Sequence, residues 1–218
     1  METVILLHGV WMSGAELAVL KRRLKREHGF NVRIFSYSSI GAGLEENAHR
    51  LRDFVASSRG ERVHLVGHSL GGVVMLRMMA RHRVNDRPGR LVCLGSPLQG
   101  SRVARMFAGI PWFGRHLLGR TLVDGVLEGG ALSWRGEREV GVVAGSLNMG
   151  LGTFAGVTGP SDGTVAVSET WLPGAADHIV LPVSHMSMLF APEVAAHVNV
   201  FLREGRFAPV AGTATTDG

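Results

Sequence analysis

The sequence contains one cysteine, few aromatic residues and few charges. Because Cys93 is alone among 218 residues, the chain can form neither an intrachain disulfide nor a cysteine-rich zinc site. Aromatic residues make up 6% of the chain and charged residues 19%, against a hydrophobic share of 45% with 30 glycines and 8 prolines. This composition is typical of a globular chain with a substantial core and many tight turns. It excludes a small disulfide scaffold, a disordered chain and a collagen-like chain.

The sequence also lacks a segment with the pattern of a signal peptide or a membrane span. Glu2 precedes an apolar stretch, residues 4–7, that is too short for a signal peptide. The longest uncharged stretch, residues 140–161, is interrupted by glycines, Asn148 and Pro160, which predicts a strand and then a glycine-rich loop. We therefore expect a cytoplasmic protein without an integral membrane segment.

Positive charge is in moderate excess, with 23 basic residues against 18 acidic ones and a net charge of +5. The clearest basic run, residues 21–26, has no interleaved aromatic residues and has the pattern of the solvated face of an amphipathic helix. We expect no nucleic-acid partner.

Short apolar runs rich in valine, isoleucine and leucine alternate with helix-like segments. Continuous apolar runs are typical of strands buried on both faces of a parallel sheet. The predicted strands are residues 4–7, 32–35, 63–66, 91–94, 140–144 and 179–183, and the helix-like segments are 15–28, 44–57, 73–82, 101–132 and 192–203. This order predicts an α/β fold with a six-stranded, mostly parallel, doubly wound sheet. We expect one domain over residues 1–207 and a disordered tail over 208–218.

Two segments match the G-x-S-x-G pattern of a nucleophile elbow, and their contexts differ. An elbow needs a strand, a sharp turn and then a helix, so that the serine side chain stands above the sheet. Ser69, in Gly-His-Ser-Leu-Gly, has an apolar run before it and a helix-like run after it. Ser161, in Gly-Pro-Ser-Asp-Gly, follows a proline and a glycine-rich loop. The context favours Ser69 as a nucleophile, and a helix cap is the alternative role for that residue.

Three stretches together make the chain similar to the small serine esterases and lipases of the α/β-hydrolase superfamily. They are Leu-Leu-His-Gly-Val-Trp at residues 6–11, Gly-His-Ser-Leu-Gly-Gly at 67–72 and Val-Ser-His-Met at 183–186. The resemblance implies an α/β-hydrolase fold that lacks the two N-terminal antiparallel strands of larger relatives, as in minimal bacterial lipases. It also implies cleavage of carboxylic acyl esters through a serine, histidine and aspartate triad and an acyl-enzyme intermediate.

The resemblance implies an oxyanion hole made of two backbone N–H groups, which by position belong to Val10 and Leu70. An ordinary strand-to-helix turn is the other interpretation of His8 and Gly9. We expect the side chains of His8 and His68 to pack around the site and not to transfer protons.

A neutral serine needs a general base, and His185 is the predicted one. It follows the last predicted strand and so lies at the carboxyl end of the sheet, where chemistry gathers in open α/β sheets. His178 precedes the same strand and lies at the opposite end, and His197 falls on the last predicted helix.

The superfamily's chain order of serine, acid and histidine makes Asp162 the predicted acid. This residue lies in Ser-Asp-Gly-Thr-Val, which resembles the Asp-Gly-x-Val segment of several lipases. Asp124 and Glu128 stay open as alternatives, because some relatives place the acid after an earlier strand. Asp177 also fits the order but precedes the last strand.

Residues 101–132 are dense in large apolar side chains, and relatives insert a lid or cap over the acyl site at this place. Crossover helices packed on the sheet are the other interpretation of the stretch. The predicted pocket residues adjoin the site motifs or belong to this stretch: Trp11, Met12, Trp112, Phe113, Met186 and Met188. The expected substrate is a small-molecule or lipid acyl ester, and the triad chemistry needs no cofactor and no metal.

Other functions stay open. An acyltransferase or a thioesterase would use the same triad, and a binding protein of the same fold would have lost the chemistry. Residues 150–155 formally match the G-x-G-x-x-A dinucleotide fingerprint, but Gly156 and Pro160 leave no room for the helix that would hold a pyrophosphate.

Overall fold

Six parallel strands form one sheet in the order β2-β1-β3-β4-β5-β6. The computed structural model describes residues 1–82, 88–111, 114–149 and 159–209. The strands are β1 (Glu2–Leu7), β2 (Asn31–Phe35), β3 (Arg62–His68), β4 (Leu91–Leu94), β5 (Val140–Gly145) and β6 (Asp177–Leu181). All five neighbouring pairs run parallel. The predicted α/β fold is confirmed, and β6 lies two residues nearer the N-terminus than the sequence pattern suggested.

Seven α-helices surround this sheet in the described part of the chain. They are α1 (Ala18–Arg26), α2 (Leu44–Ala56), α3 (Leu70–Arg81), α4 (Arg102–Ala108), α5 (Gly114–Leu118), α6 (Arg120–Leu122) and α7 (Pro192–Glu204). Helices α2 and α3 pack in one apolar cluster with one face of the sheet, and α1 and α7 pack in a second cluster with the other face. No helix among the described residues is long and apolar enough to cross a membrane.

The central strands are buried on both faces, which explains their continuous apolar sequences. In β1, Ile5 and Leu7 belong to the cluster with α2 and α3, whereas Val4 and Leu6 belong to the cluster with α1 and α7. All four side chains are fully buried. Since successive strand residues point to opposite faces, both sets must be apolar when helices cover both faces.

The helix-like stretch at residues 101–132 is not one helix but a chain of short elements: α4, α5, α6 and a π-helical turn, Val123–Leu127. Pro111 cannot donate a helix hydrogen bond, so it separates α4 from α5. Gly119 has a φ of 79° and packs so closely on Ile40 that a Cβ would lie 2.6 Å from the Ile40 Cα. Only glycine fits at that break.

The reversal of strand order places a crevice at the carboxyl ends of β1 and β3. From β1 the chain moves outward to β2, then returns to the other side of β1 and continues through β3 to β6. Ligands of open α/β sheets bind at such a reversal point. His8 follows β1, and Ser69 follows β3, so both lie at this crevice.

His64, in β3, is a buried histidine near the opposite end of the sheet. Its ring is fully buried against Phe30, and its Nδ1 accepts the Arg90 backbone N–H at 3.0 Å. Burial, followed by the positive charges of Arg90 and other nearby arginines, lowers the pKa of His64 to about 4.

We expect the His64 imidazole to lower the stability of the fold as the pH falls. Between pH 6.5 and 4 the unfolded chain binds a proton at this residue and the folded chain does not, so stability present above pH 6.5 is lost on acidification. The loss due to His64 reaches about 3 kcal/mol at pH 4. Urea unfolding at pH 7.5, 6, 5 and 4.5 should therefore show a weaker pH dependence for His64→Gln than for wild type. The exposed control variant His116→Gln should follow wild type, and equal slopes for all three proteins would contradict this prediction.

Candidate active site

Ser69 occupies a strained turn between β3 and α3. Its backbone has φ 53° and ψ −122°, a conformation that non-glycine residues rarely adopt and that costs about 1–3 kcal/mol. The Ser69 N–H donates to the Leu94 carbonyl at 2.8 Å, and the Ser69 carbonyl accepts the Gly72 N–H at 3.1 Å. The sequence pattern predicted that this helix starts at Val73, but α3 begins at Leu70, directly after the serine.

Glycines on both sides of Ser69 allow three backbone segments to meet. A Cβ on Gly67 would lie 2.5 Å from the Gly72 nitrogen, and a Cβ on Gly71 would lie 2.7 Å from the His8 carbonyl oxygen. No side chain fits at either position. The two glycines of the elbow motif therefore have a direct packing reason, and the first turn of α3 lies against the end of β1.

Asp162 and His185 form a buried hydrogen-bonded pair. The His185 Nδ1 lies 2.7 Å from the Asp162 Oδ2, and the His185 backbone N–H donates to the Asp162 carbonyl at 2.8 Å. Because a carboxylate only accepts, Nδ1 of the neutral imidazole carries the proton and Nε2 is left as an acceptor. A histidine in this tautomer can take a proton through Nε2.

The Asp162 carboxylate is fully buried and has further partners on its other oxygen. Its Oδ1 accepts the backbone N–H groups of Thr164 at 2.8 Å and Val165 at 2.7 Å. These two donors stabilise the ionised carboxylate and fix its plane. The sequence motif drew attention to Asp162 but gave no sign of these two contacts.

Gly95, at the end of β4, makes room for this carboxylate. Its φ is 54°, and a Cβ there would lie 2.9 Å from the Asp162 Oδ2 and 3.1 Å from the Met188 Sδ. No motif in the sequence assigns a role to this glycine. The only available signal was a glycine directly after a buried strand, which alone does not reveal a contact with a residue 67 positions later.

His68 supports the backbone of His185. The two rings lie 4.7 Å apart, and the His68 Nε2–H donates to the His185 carbonyl at 2.9 Å. Burial, with a smaller contribution from the neighbouring His185, lowers the pKa of His68 well below its ordinary value. His68 is therefore neutral at pH 7 and adds no positive charge beside His185.

His8 is held by the loop that follows β1 and by Tyr37. Its Nδ1–H donates to the Gly9 carbonyl at 2.8 Å, its Nε2 accepts the Tyr37 N–H at 3.1 Å, and its ring stacks on the tyrosine ring. Burial lowers the pKa of His8. Both ring nitrogens are thus engaged in shaping the loop.

The loop after His8 lies beside the candidate nucleophile. A Cβ on Gly9 would lie 3.2 Å from the Ser69 Cβ, so the chain that leads to Val10 passes next to the serine. Leu70 is the first residue of α3, where backbone N–H groups have no partner within the helix. The two predicted oxyanion donors therefore belong to segments that flank Ser69.

The alternative acids have other partners. The Asp124 Oδ2 accepts the Leu44 N–H at 3.0 Å at the start of α2, and Glu128 forms an ion pair with Arg115. Asp177 begins β6, at the opposite end of that strand from His185, and accepts the Phe207 N–H at 2.7 Å.

Ser161, the serine of the second motif, is fully buried in a turn. Its Oγ accepts the Gly163 N–H at 3.4 Å, and the residue bridges to Ala166. No helix begins directly after it, and the next one is a short 3-10 helix, Val167–Thr170, so the geometry of a nucleophile elbow is absent at this serine.

The predicted pocket residues have different environments. Trp11 and Met186 are exposed, and Met12 is half-buried with its Sδ close to Gly9. Met188 is fully buried in the core and presents no surface to a substrate, so it is not part of the proposed pocket. Trp112 and Phe113 lie outside the described residues.

Two other features of the sequence cannot be compared with the structure. The G-x-G-x-x-A match at 150–155 and residues 210–218 of the predicted tail lie outside the described residues. Among the described residues, no group of three or more histidine, cysteine, aspartate or glutamate side chains is placed to hold a metal ion.

Comparisons with known proteins place the chain in a family. The chain is 31% identical over 122 residues to RutD from Yersinia enterocolitica, a protein named provisionally as a carbamate hydrolase, in a match over 49% of this chain and 40% of that protein's length. The mature lipase BlEst2 of Bacillus licheniformis superposes with a TM-score of 0.74 at 17% identity, over 92% of this chain and 90% of the lipase.

A second solved structure, the metagenomic carboxyl esterase MGS0156, superposes with a TM-score of 0.63 at 16% identity, over 89% of this chain and 72% of the esterase. At these identities the two superpositions show a shared fold. A sequence model of the alpha/beta hydrolase family matches residues 4–198, which is most of the chain. The chain therefore belongs to the alpha/beta hydrolase family.

Proposed function

We propose that the chain is a serine hydrolase that cleaves carboxylic acyl esters, with Ser69 as nucleophile, His185 as general base and Asp162 as the acid of a triad. The observation that carries this proposal is the 2.7 Å hydrogen bond between the His185 Nδ1 and the buried Asp162 carboxylate. With the proton on Nδ1, Nε2 is the acceptor nitrogen of an imidazole at the carboxyl end of the sheet, and the serine of the elbow motif at that end has a strained backbone.

In the proposed reaction the Ser69 Oγ attacks the ester carbonyl carbon, and the His185 Nε2 takes the hydroxyl proton. The carbonyl oxygen becomes an oxyanion and accepts the backbone N–H groups of Val10 and Leu70. The C–O bond to the alcohol then breaks, and His185 gives its proton to the leaving oxygen. Asp162 stays ionised throughout and stabilises the imidazolium.

Water completes the cycle. His185 accepts a proton from a water molecule, whose oxygen attacks the acyl carbon on Ser69. The second tetrahedral intermediate breaks its bond to the Ser69 Oγ, and His185 returns the proton to that oxygen. The products are one carboxylic acid and one alcohol, and each step conserves protons.

The proposed substrate is a small-molecule or lipid acyl ester, because apolar side chains adjoin the site motifs. Met186, which is exposed, directly follows the proposed general base, and Met12, which is half-buried, lies in the proposed oxyanion loop; apolar side chains at these places favour contact with an acyl or alkyl group. For residues 101–132, a lid or cap over the acyl site and crossover helices packed on the sheet both stay open.

Ester chain-length preference tests the proposed function. Purified protein should hydrolyse p-nitrophenyl esters between C4 and C12, with kcat/KM rising as each additional CH₂ is buried at about 0.8 kcal/mol until the pocket is full. Acyl thioesters, and a glycerol acceptor added to the ester reaction, serve as parallel assays for thioesterase and acyltransferase activity. Absence of turnover with every ester would contradict the proposal, and faster thioester cleavage or dominant transfer to glycerol would replace it.

A further inference from the structure

Trp11 has an unusual backbone next to the proposed oxyanion donor. Among the described residues, Ser69 and Trp11 are the two non-glycine residues with positive φ, 53° and 59°. Ser69 directly precedes Leu70, and Trp11 directly follows Val10, so each strained residue adjoins one of the two proposed donors. Left-handed backbone is unfavourable for a bulky aromatic residue, so surrounding contacts must hold Trp11 in this conformation.

Three contacts hold Trp11, and all come from other elements of the fold. The indole Nε1–H donates to the Leu117 carbonyl in α5 at 2.7 Å. The ring meets Phe107 of α4 edge-on, with centroids 6.4 Å apart and an angle of 84° between planes. The Trp11 backbone N–H donates to the Ser39 Oγ at 3.1 Å.

Burial does not explain these contacts, because Trp11 is 51% exposed. An indole that only filled the core would be covered. This indole instead extends from the loop after β1 to the short helices α4 and α5. Leu117, which accepts its hydrogen bond, lies 106 residues later along the chain. Its contacts tie the loop that passes beside Ser69 to a separate segment of the fold.

We propose that Trp11 is a positioning residue, which fixes the direction of the Val10 N–H by tying the oxyanion loop to α4 and α5. This inference rests on the proposed function. Because a strained backbone relaxes when its side-chain contacts are lost, removal of the indole tie lets the loop turn and the Val10 N–H move away from the oxyanion. Phe107 and Leu117 thereby help to hold the oxyanion loop in place.

The test compares Trp11→Phe and Trp11→Ala with wild type. Trp11→Phe keeps the ring contact and loses the N–H donor, and Trp11→Ala loses both. Loss of a whole oxyanion donor costs about 10²–10³-fold in kcat, so we expect about a tenfold fall for Trp11→Phe and a larger fall for Trp11→Ala, with KM for a short ester within about twofold of wild type. Trp171→Phe is the matched control, because Trp171 is 56% exposed and contacts His178 at the other end of the sheet.

A pair of inhibitors separates positioning from a merely structural role. A trifluoromethyl ketone adds to the serine and forms an oxyanion, whereas the corresponding secondary alcohol binds without reaction. In both Trp11 variants the ketone Ki should rise by the same factor as kcat/KM falls, and the alcohol Ki should stay unchanged. Unchanged kcat in both variants, or a rise in KM and in the alcohol Ki with kcat constant, would overturn the inference and make Trp11 a pocket wall.

Wild-type activity distinguishes the two ways in which this test can fail. If wild type hydrolyses esters and Trp11→Phe matches it in kcat and in ketone Ki, only the role of Trp11 is refuted. If wild type neither hydrolyses esters nor binds the ketone, the proposed function fails, and the inference fails with it.

Discussion

Ser69→Ala is expected to lower kcat for ester hydrolysis by about 10⁴- to 10⁶-fold. The substitution removes the only atom that can form the proposed acyl-enzyme, so water must attack the ester directly. Residual turnover would come from the oxyanion donors and from substrate binding. KM should change little, because the Oγ makes no strong ground-state contact in this mechanism. Initial rates at enzyme concentrations high enough to see a 10⁵-fold loss provide the measurement.

Ser161→Ala is the matched control, since Ser161 has the same sequence pattern without the elbow. Its Oγ is buried and accepts the Gly163 N–H, so the variant should lose stability while kcat stays within about twofold of wild type. Ser69→Ala should unfold at a urea concentration close to that of wild type. A Ser69→Ala protein that keeps wild-type kcat would refute the nucleophile assignment.

Asp162→Asn is expected to lower kcat by about 10⁴-fold. An asparagine can keep an oxygen toward the Thr164 and Val165 N–H groups, but its NH₂ would then face the His185 Nδ1. The imidazole would have to carry its proton on Nε2, where the base needs a lone pair. The substitution also removes the negative charge that stabilises the imidazolium. The kcat of this variant, measured between pH 6 and 9, tests the prediction.

Asp177→Asn and Asp124→Asn are the controls for the acid. Asp177 lies at the other end of β6, and Asp124 accepts an N–H at the start of α2, so each should affect stability more than kcat. A loss of kcat larger for either control than for Asp162→Asn would transfer the acid role to that residue.

The sequence predicted the sheet well because its signal is local. Continuous apolar runs such as residues 4–7 and 91–94 follow directly from burial on both faces, and they marked strands that the structure contains. Helix ends were harder to predict. The Gly71 and Gly72 pair has low helix propensity, so the pattern delayed the start of α3 to Val73, although tertiary packing against the end of β1 begins the helix at Leu70.

The stretch at residues 101–132 shows the limit of periodicity. Its apolar residues suggested helices, but the breaks depend on Pro111 and on Gly119, whose tight contact is with Ile40, about 80 residues earlier along the chain. Similarly, the chain order identified Asp162 and His185 as candidates, whereas the Thr164 and Val165 N–H donors and the Trp11 contacts with α4 and α5 come from backbone conformation and long-range packing. No spacing in the sequence encodes such contacts.

Peptide mapping of wild-type protein after reaction with a fluorophosphonate is the most direct test of the central claim, that Ser69 is a nucleophile activated by His185 and Asp162. The reagent bonds covalently to a serine only where a base removes its proton and an oxyanion site receives the phosphoryl oxygen. We predict one phosphonyl group per chain, on the peptide that contains Ser69, together with loss of ester hydrolysis in the same proportion. An adduct on Ser161, or full ester hydrolysis by protein in which every Ser69 carries the adduct, would contradict the account.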